Sequence, residues 1–269
     1  MSGEPDGMRR VALITGASGG IGADLARVFS RHGHDLALVA RSRDRLDALA
    51  DEIAALGRPR PLVFAADLAE RGAVEQLAAA LQKAGASPDV LVNNAGFGLM
   101  GECVALDPAE QLAIVDLNVR ALVEITLRFL PQIVAARGKI LNVASIVSFF
   151  PGGPGLAIYY ASKAFVRSFT LALGQEMRGR GVAVTVLCPG YTRTGFQSRA
   201  GFEAETLAFL PGQSAMEVAE AGFAGLIAGR REVVPGLVNK ITAWLLPFSP
   251  KALVLPVLSR LQQKRRGNA

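Results

Sequence analysis

Thr15-Gly16-Ala17-Ser18-Gly19-Gly20-Ile21-Gly22 stands between an apolar run, Val11–Thr15, and a stretch, Ile21–His32, in which Ile21, Leu25, Ala26 and Phe29 recur at helical spacing. A strand that ends in glycines and reopens as a helix is a strand–turn–helix unit. Such a turn lets backbone N–H groups and the helix N-terminus approach a pyrophosphate. The spacing here is G-x-x-x-G-x-G, and Gly16, Ser18, Gly19, Gly20, Ile21 and Gly22 are the candidate contacts.

The same alternation continues outward. Further strands are expected at Asp35–Ala40, Pro61–Ala65, Asp89–Asn93, Lys139–Ala144 and Val182–Leu187. Helices are expected at Asp44–Leu56, around Val74–Leu81, from about Pro108 to Leu130, and over Tyr159–Met177. These strands are continuously apolar rather than alternating, so both faces of a parallel sheet are to be covered by helices. The fold class is α/β, a single doubly wound domain over residues 1–236 with about seven strands, the last short one at Glu232–Pro235. A helix is expected at Met216–Ala228 after Ser214, whereas Tyr191–Gly212 has no clean period. Residues 237–269 are apolar, broken by prolines and finally basic. They read as an extension packed on the domain, at a subunit interface or at a membrane surface.

Composition narrows the class. Residues of apolar type make up 51% of the 269, enough for a sizeable core. The formal charge of +6 fits a basic but ordinary surface, and no finger spacing or RNA-sheet motif favours nucleic acid as a partner. Cys103 and Cys188 are far apart, and His32 and His34 flank Gly33 as in a turn, so no metal site is expected. Reduced cysteines fit a cytoplasmic location. The first ten residues lack the apolar core of a signal peptide.

The second strand ends in Ala40-Arg41-Ser42-Arg43, where an acid would hold the ribose hydroxyls of NAD. Arg41 suits a 2′-phosphate instead, which favours NADP(H) over NAD(H). Asp67 and Leu68 follow the third strand and suit the adenine, with a helix cap as the plainer reading of Asp67. Asn94, Ala95 and Gly96 follow the fourth strand and leave room for a flat cofactor. Tyr159 and Lys163 are four apart and share a helix face, so an ammonium stands near a phenol. Ser145 closes the fifth strand at the same end of the sheet and is placed to donate to a carbonyl oxygen. Asn118 sits inside a long helix, where asparagine is a poor helix former.

Taken together, TGASGGIG at Thr15–Gly22, NNAG at Asn93–Gly96, Asn118, NVAS at Asn142–Ser145, YYASK at Tyr159–Lys163 and PGYTRT at Pro189–Thr194 resemble the short-chain dehydrogenase/reductase family in its classical form. The resemblance spans about Arg10 to Gly236. It implies that Ser145 polarises a carbonyl and that Tyr159 is the general acid in reduction or the base in oxidation. Lys163 would lower the Tyr159 pKa and hold the nicotinamide ribose, and Asn118 would anchor a relay water. Pro189, Gly190, Thr192 and Thr194 would line the nicotinamide. It also implies a homodimer or homotetramer. One departure stands out: Ser145 and Tyr159 are fourteen apart, one more than the family's usual interval, and Ser148 is the less favoured substitute.

The expected function is hydride transfer between NADP(H) and the carbonyl or secondary alcohol of a small, apolar substrate. Phe97, Phe149, Phe150, Leu156, Tyr191 and Phe196 are the candidate pocket residues, beside Ser145 and Tyr159. Two alternatives stay open. One is a membrane-associated reductase of long-chain acyl or steroid-like ketones, with peripheral contact through the tail. The other is a non-catalytic nucleotide-binding structural or regulatory protein.

Overall fold

The computed structural model describes residues 7–195 and 212–265, with side chains through residue 260. Strands β1 (Arg9–Thr15), β2 (Leu36–Ala40), β3 (Leu62–Ala65), β4 (Ala86–Asn93), β5 (Lys139–Val143) and β6 (Ala183–Leu187) alternate with helices along the chain. The helices between them are α1 (Gly20–Arg31), α2 (Arg43–Ala55), α3 (Ala73–Lys83), α4 (Pro108–Val115), α5 (Leu122–Ala135) and α6 (Ala157–Met177). Beyond β6 come β7 (Thr192–Arg193), β8 (Gln213–Ser214), α7 (Ala215–Ile227), β9 (Glu232–Val233), α8 (Leu237–Leu245) and α9 (Lys251–Arg265).

Seven strands form one sheet in the order β3-β2-β1-β4-β5-β6-β9, and every pairing in it is parallel. The short strands β7 and β8 pair separately. Successive residues of β1 feed opposite cores, as a period of two requires. Ala12 and Ile14 pack with α1, α2 and α7. Val11 and Leu13 pack with α3, α5 and α6. The strand order reverses between β1 and β4, and in an open α/β sheet that reversal opens a ligand crevice at the carboxyl ends.

The expected elements are present, with three differences. The helix expected over Pro108–Leu130 is not uniform. Asp107 caps α4 by accepting from the Ala109 N–H at 2.7 Å, and residues Asp116–Ala121 then form a π turn before α5 runs on through Pro131. The expected loop Phe149–Ile158 is shortened at both ends, by a 3-10 turn over Ile146–Phe149 and by the start of α6 at Ala157. The proline-broken tail forms two helices, because Pro247 and Pro250 fall between α8 and α9.

A buried polar chain ties the sheet to the helices behind it. Asn93 Nδ2 donates to Thr126 Oγ1 and to Asn142 Oδ1, each at 2.9 Å, and Asn142 Nδ2 donates to Thr170 Oγ1 at 2.9 Å. Thr126 and Thr170 in turn donate to helix carbonyls one turn back. The ends of β4 and β5 are thereby fixed against α5 and α6, which set the position of the side chains described next.

Candidate active site

The glycine turn is shaped by close approach. Gly16 has φ +67°, and a Cβ there would stand 2.8 Å from Ala95 Cα. A Cβ on Gly22 would meet the Gly16 carbonyl oxygen at 2.3 Å, so this turn excludes any side chain at either position. Asn94 Nδ2 donates to the carbonyls of Thr15 and Gly16 at 3.0 and 3.2 Å, binding the β4 loop to the β1 turn. Thr15 Oγ1 accepts from the Asn94 and Ala95 N–H groups. Thr194 approaches Gly20, where an added Cβ would stand 3.2 Å from the Thr194 Cβ. The segment after β6 therefore closes over the same turn. Ser18 and Gly19 lie between these contacts, with Ile21 half-buried at the start of α1.

Arg41 emerges from the end of β2 with its side chain 63% exposed, and its Nη1 lies 3.6 Å from Asp67 Oδ2. The Asp67 Oδ1 atom accepts from the Ala69 N–H at 3.0 Å, as a turn residue does. Arg41 and Asp67 thus form one charged rim beyond the ends of β2 and β3. Leu68 is 4% exposed and packs in the core with the α3 leucines.

Ser145, Tyr159 and Lys163 come together at the carboxyl end of β5. Ser145 stands near enough to the Tyr159 phenol to work toward lowering its pKa, despite the longer interval between them. The 3-10 turn Ile146–Phe149 and the Gly-rich loop after it span that interval. Ser145 Oγ also accepts from the Val147 N–H at 3.3 Å, as the cap of that turn. Ser148 points elsewhere: its Oγ donates to the Ser145 carbonyl at 2.6 Å and lies 3.8 Å from Cys188 Sγ. Lys163 is 5% exposed, and its Nζ donates to the Val143 carbonyl at 2.9 Å. The same Nζ lies 6.0 Å from the Tyr159 ring centroid. Burial pushes the Tyr159 phenol up to about 12, and Ser145 works against that rise. Burial pushes Lys163 down to about 8.

Asn118 lies in the π turn and is fully buried. Its Oδ1 accepts from the Phe97 N–H at 3.1 Å, and its Nδ2 donates to the Phe97 carbonyl at 2.9 Å and to Ser162 Oγ at 3.0 Å. The side chain therefore clamps the loop after β4 to α6, which sequence reasoning did not foresee. Gly96 leaves room for it: a Cβ there would meet Asn118 Oδ1 at 2.9 Å and Lys163 Nζ at 3.2 Å.

On the far side, the Ile146 N–H donates to the Pro189 carbonyl at 2.7 Å, joining the turn after Ser145 to the loop after β6. Thr192 is buried and donates to the Gly190 carbonyl at 3.1 Å. The expected pocket residues divide. Phe150 packs edge-to-face on Tyr160, and Leu156 is buried at the start of α6. Phe149 lies under the Arg167 guanidinium, 4.1 Å from its centroid, on the outer satellite core. Tyr191 stacks over Gly212, whose Cβ would stand 2.7 Å from the ring. Phe196 lies outside the described residues.

The short chain dehydrogenase family model matches residues 10–204. The oxidoreductase UcpA of Salmonella typhimurium is 34% identical over 186 residues, covering 69% of this chain and 70% of the relative. An NADP-dependent 3-hydroxy acid dehydrogenase of Salmonella typhi is 36% identical over 187 residues, 67% of this chain and 71% of that one. A solved short-chain dehydrogenase from Sphingobium yanoikuyae in complex with NADPH superposes with a TM-score of 0.77 at 34% identity, covering 86% of this chain and 88% of that one.

Proposed function

The chain belongs to the short-chain dehydrogenase/reductase family, and from that premise we propose that it is an NADP(H)-dependent oxidoreductase acting on a carbonyl or secondary alcohol of a small, apolar molecule. The observation that carries this reading is the buried Lys163 ammonium 6.0 Å from the Tyr159 ring and bonded to the Val143 carbonyl at the end of β5, two residues before Ser145. The residues around the crevice fit the cofactor. Gly16 and Gly22 form a cradle that a Cβ would fill, and Arg41 offers a guanidinium to a 2′-phosphate. The bound nicotinamide supplies or accepts the hydride. Relatives named for NADP or solved with NADPH support the same preference.

The chain's own groups handle the oxygen and its proton. Ser145 Oγ and Tyr159 Oη both address the substrate oxygen. In reduction, the Tyr159 phenol gives its proton to the oxygen as the carbonyl carbon gains hydride. The Lys163 ammonium stabilises the phenolate left behind. A phenol held near 12 is fully protonated at neutral pH, which suits the reductive direction. Asn118 positions Phe97 and Ser162, and anchoring a relay water is the role the family resemblance adds to that. Phe97, Phe150, Leu156 and Tyr191 supply apolar walls.

Residues up to 236 carry cofactor and chemistry, and α8 and α9 form an extension on that unit. Exposed Leu127 on α5 and Phe165 on α6 support association of copies through these helices.

The test is a panel of aldehydes and ketones with NADPH, comparing the protein with Tyr159→Phe. Turnover that falls about 10²–10⁴-fold in the variant supports the oxidoreductase reading. NADPH binding with no Tyr159-dependent turnover on any carbonyl would instead favour a non-catalytic nucleotide-binding protein.

A further inference from the structure

Helix α8 is inverted relative to a helix of an ordinary globular domain. Leu237, Val238, Ile241, Trp244 and Leu245 recur at helical spacing, and all of them face solvent. The side turned to the domain carries Asn239 and Ala243. Asn239 Nδ2 donates to the Pro235 carbonyl at 2.7 Å, and Ala243 is buried. Trp244 is 70% exposed and Phe248 79%, with their rings edge-to-face at 6.3 Å. In α9, Leu253 and Val257 are exposed one turn apart, and exposed Arg260 follows on the same face.

The charge of the chain is concentrated in the same segment. Six Lys and Arg residues lie beyond position 236 and no Asp or Glu does, so the segment accounts for the whole formal excess of +6. Among the described side chains, Lys240, Lys251 and Arg260 are exposed beside the apolar residues. A second copy meeting this face about a two-fold axis would bring two such segments together, cation against cation. The rest of the chain carries as many acids as bases, so it has no net negative charge to offset the cations of this segment.

Apolar side chains with tryptophan and phenylalanine, flanked only by cations, complement an anionic lipid surface. No helix among the described residues is long and apolar enough to cross a membrane. Short helices separated by prolines lie in the plane of the interface instead.

We propose that α8 and α9 dock this protein on an anionic bilayer surface, with the Trp244–Phe248 stripe in the acyl boundary and Lys240, Lys251 and Arg260 at the headgroups. The docking segment borders the candidate site. Asn239 fills the space beside Gly190, and Leu255 lies 3.6 Å from where a Cβ on Gly152 would stand. Docking does not depend on which reaction occurs at Tyr159.

Sedimentation of the full chain with vesicles tests this. Vesicles of phosphatidylcholine alone are compared with vesicles that also contain phosphatidylglycerol. The protein is expected to pellet only with the anionic vesicles and to be released by added salt. Lys240→Gln, Lys251→Gln and Arg260→Gln are each expected to weaken partitioning about fivefold, and together about a hundredfold. Trp244→Ser with Phe248→Ser is expected to abolish pelleting while the melting temperature and NADPH binding stay unchanged. Full-length protein that stays in the supernatant with both vesicle types overturns the proposal. So does an oligomer that the Trp244→Ser, Phe248→Ser variant dissociates without altering vesicle binding, which would make the stripe a subunit interface.

Discussion

Tyr159 and Lys163 are shifted by burial in opposite directions, the phenol up to about 12 and the ammonium down to about 8. Both shifts favour the neutral forms. Carbonyl reduction needs the Tyr159 proton and the Lys163 charge at once. The rate of reduction is therefore expected to be flat near neutrality and to fall as pH rises through about 8, where Lys163 loses its proton. A pH profile of kcat/KM with NADPH checks this, and a profile that still rises above pH 8 would contradict it. The same lysine bears on stability. Its folded pKa lies below its free value of 10.5, so its burial penalty is complete below about pH 8 and fades as pH rises toward 10.5. Lys163→Met is expected to lose activity while gaining thermal stability over the parent at pH 7, with that gain shrinking above pH 8. Melting curves at several pH values measure it. Arg41 makes a separate prediction. Arg41→Ala is expected to raise the KM for NADPH about tenfold and leave that for NADH nearly unchanged, because the side chain is largely exposed and screened.

At the scale of elements, the sequence makes the strands legible where apolar runs are continuous. Ile14, Val39, Val92, Leu141 and Val186 all lie in strands of the central sheet, each expected from its run. The π turn at Asn118 is not legible, since Asp116–Ala121 has ordinary helical composition and only the buried asparagine hints at an interruption. Its clamp on Phe97 joins residues 21 apart, and no local pattern encodes such a pairing. The engagement of Ser145 with Tyr159 is hidden for a related reason. A sequence interval measures chain length, and a 3-10 turn packs that length differently from a loop. The tail reads as broken because Pro247, Pro250 and Pro256 interrupt it, yet Pro256 is accommodated inside α9. The clamp itself is testable. Asn118→Ala leaves the Phe97 N–H without its side-chain acceptor, at a cost of about 1–3 kcal/mol of stability. Chemical denaturation is expected to show that loss, together with a fall in kcat larger than any change in NADPH affinity. A variant with unchanged stability and unchanged kcat would remove Asn118 from the positioning role.

At the scale of the whole molecule, contacts at the crevice tie the two halves of the sheet to each other. Asn94 carries β4 onto the β1 turn, and Thr194 brings the segment after β6 against Gly20. A ligand seated there touches both sides of the point where strand order reverses, so binding couples to unfolding of the entire domain rather than of one lobe. Such coupling stabilises by about 2.7 kcal/mol when the ligand stands at a hundred times its dissociation constant. NADPH at that excess is thus expected to raise the melting temperature in a single cooperative transition. NADH at the same concentration is expected to raise it far less, since it offers Arg41 no phosphate. In Arg41→Ala the two nucleotides are expected to give nearly equal shifts. Differential scanning fluorimetry with both cofactors distinguishes the cases. Equal shifts in the parent protein would place the cofactor preference outside the β2 rim, whereas two separate transitions on NADPH addition would mean that the crevice does not bind the halves into one unit.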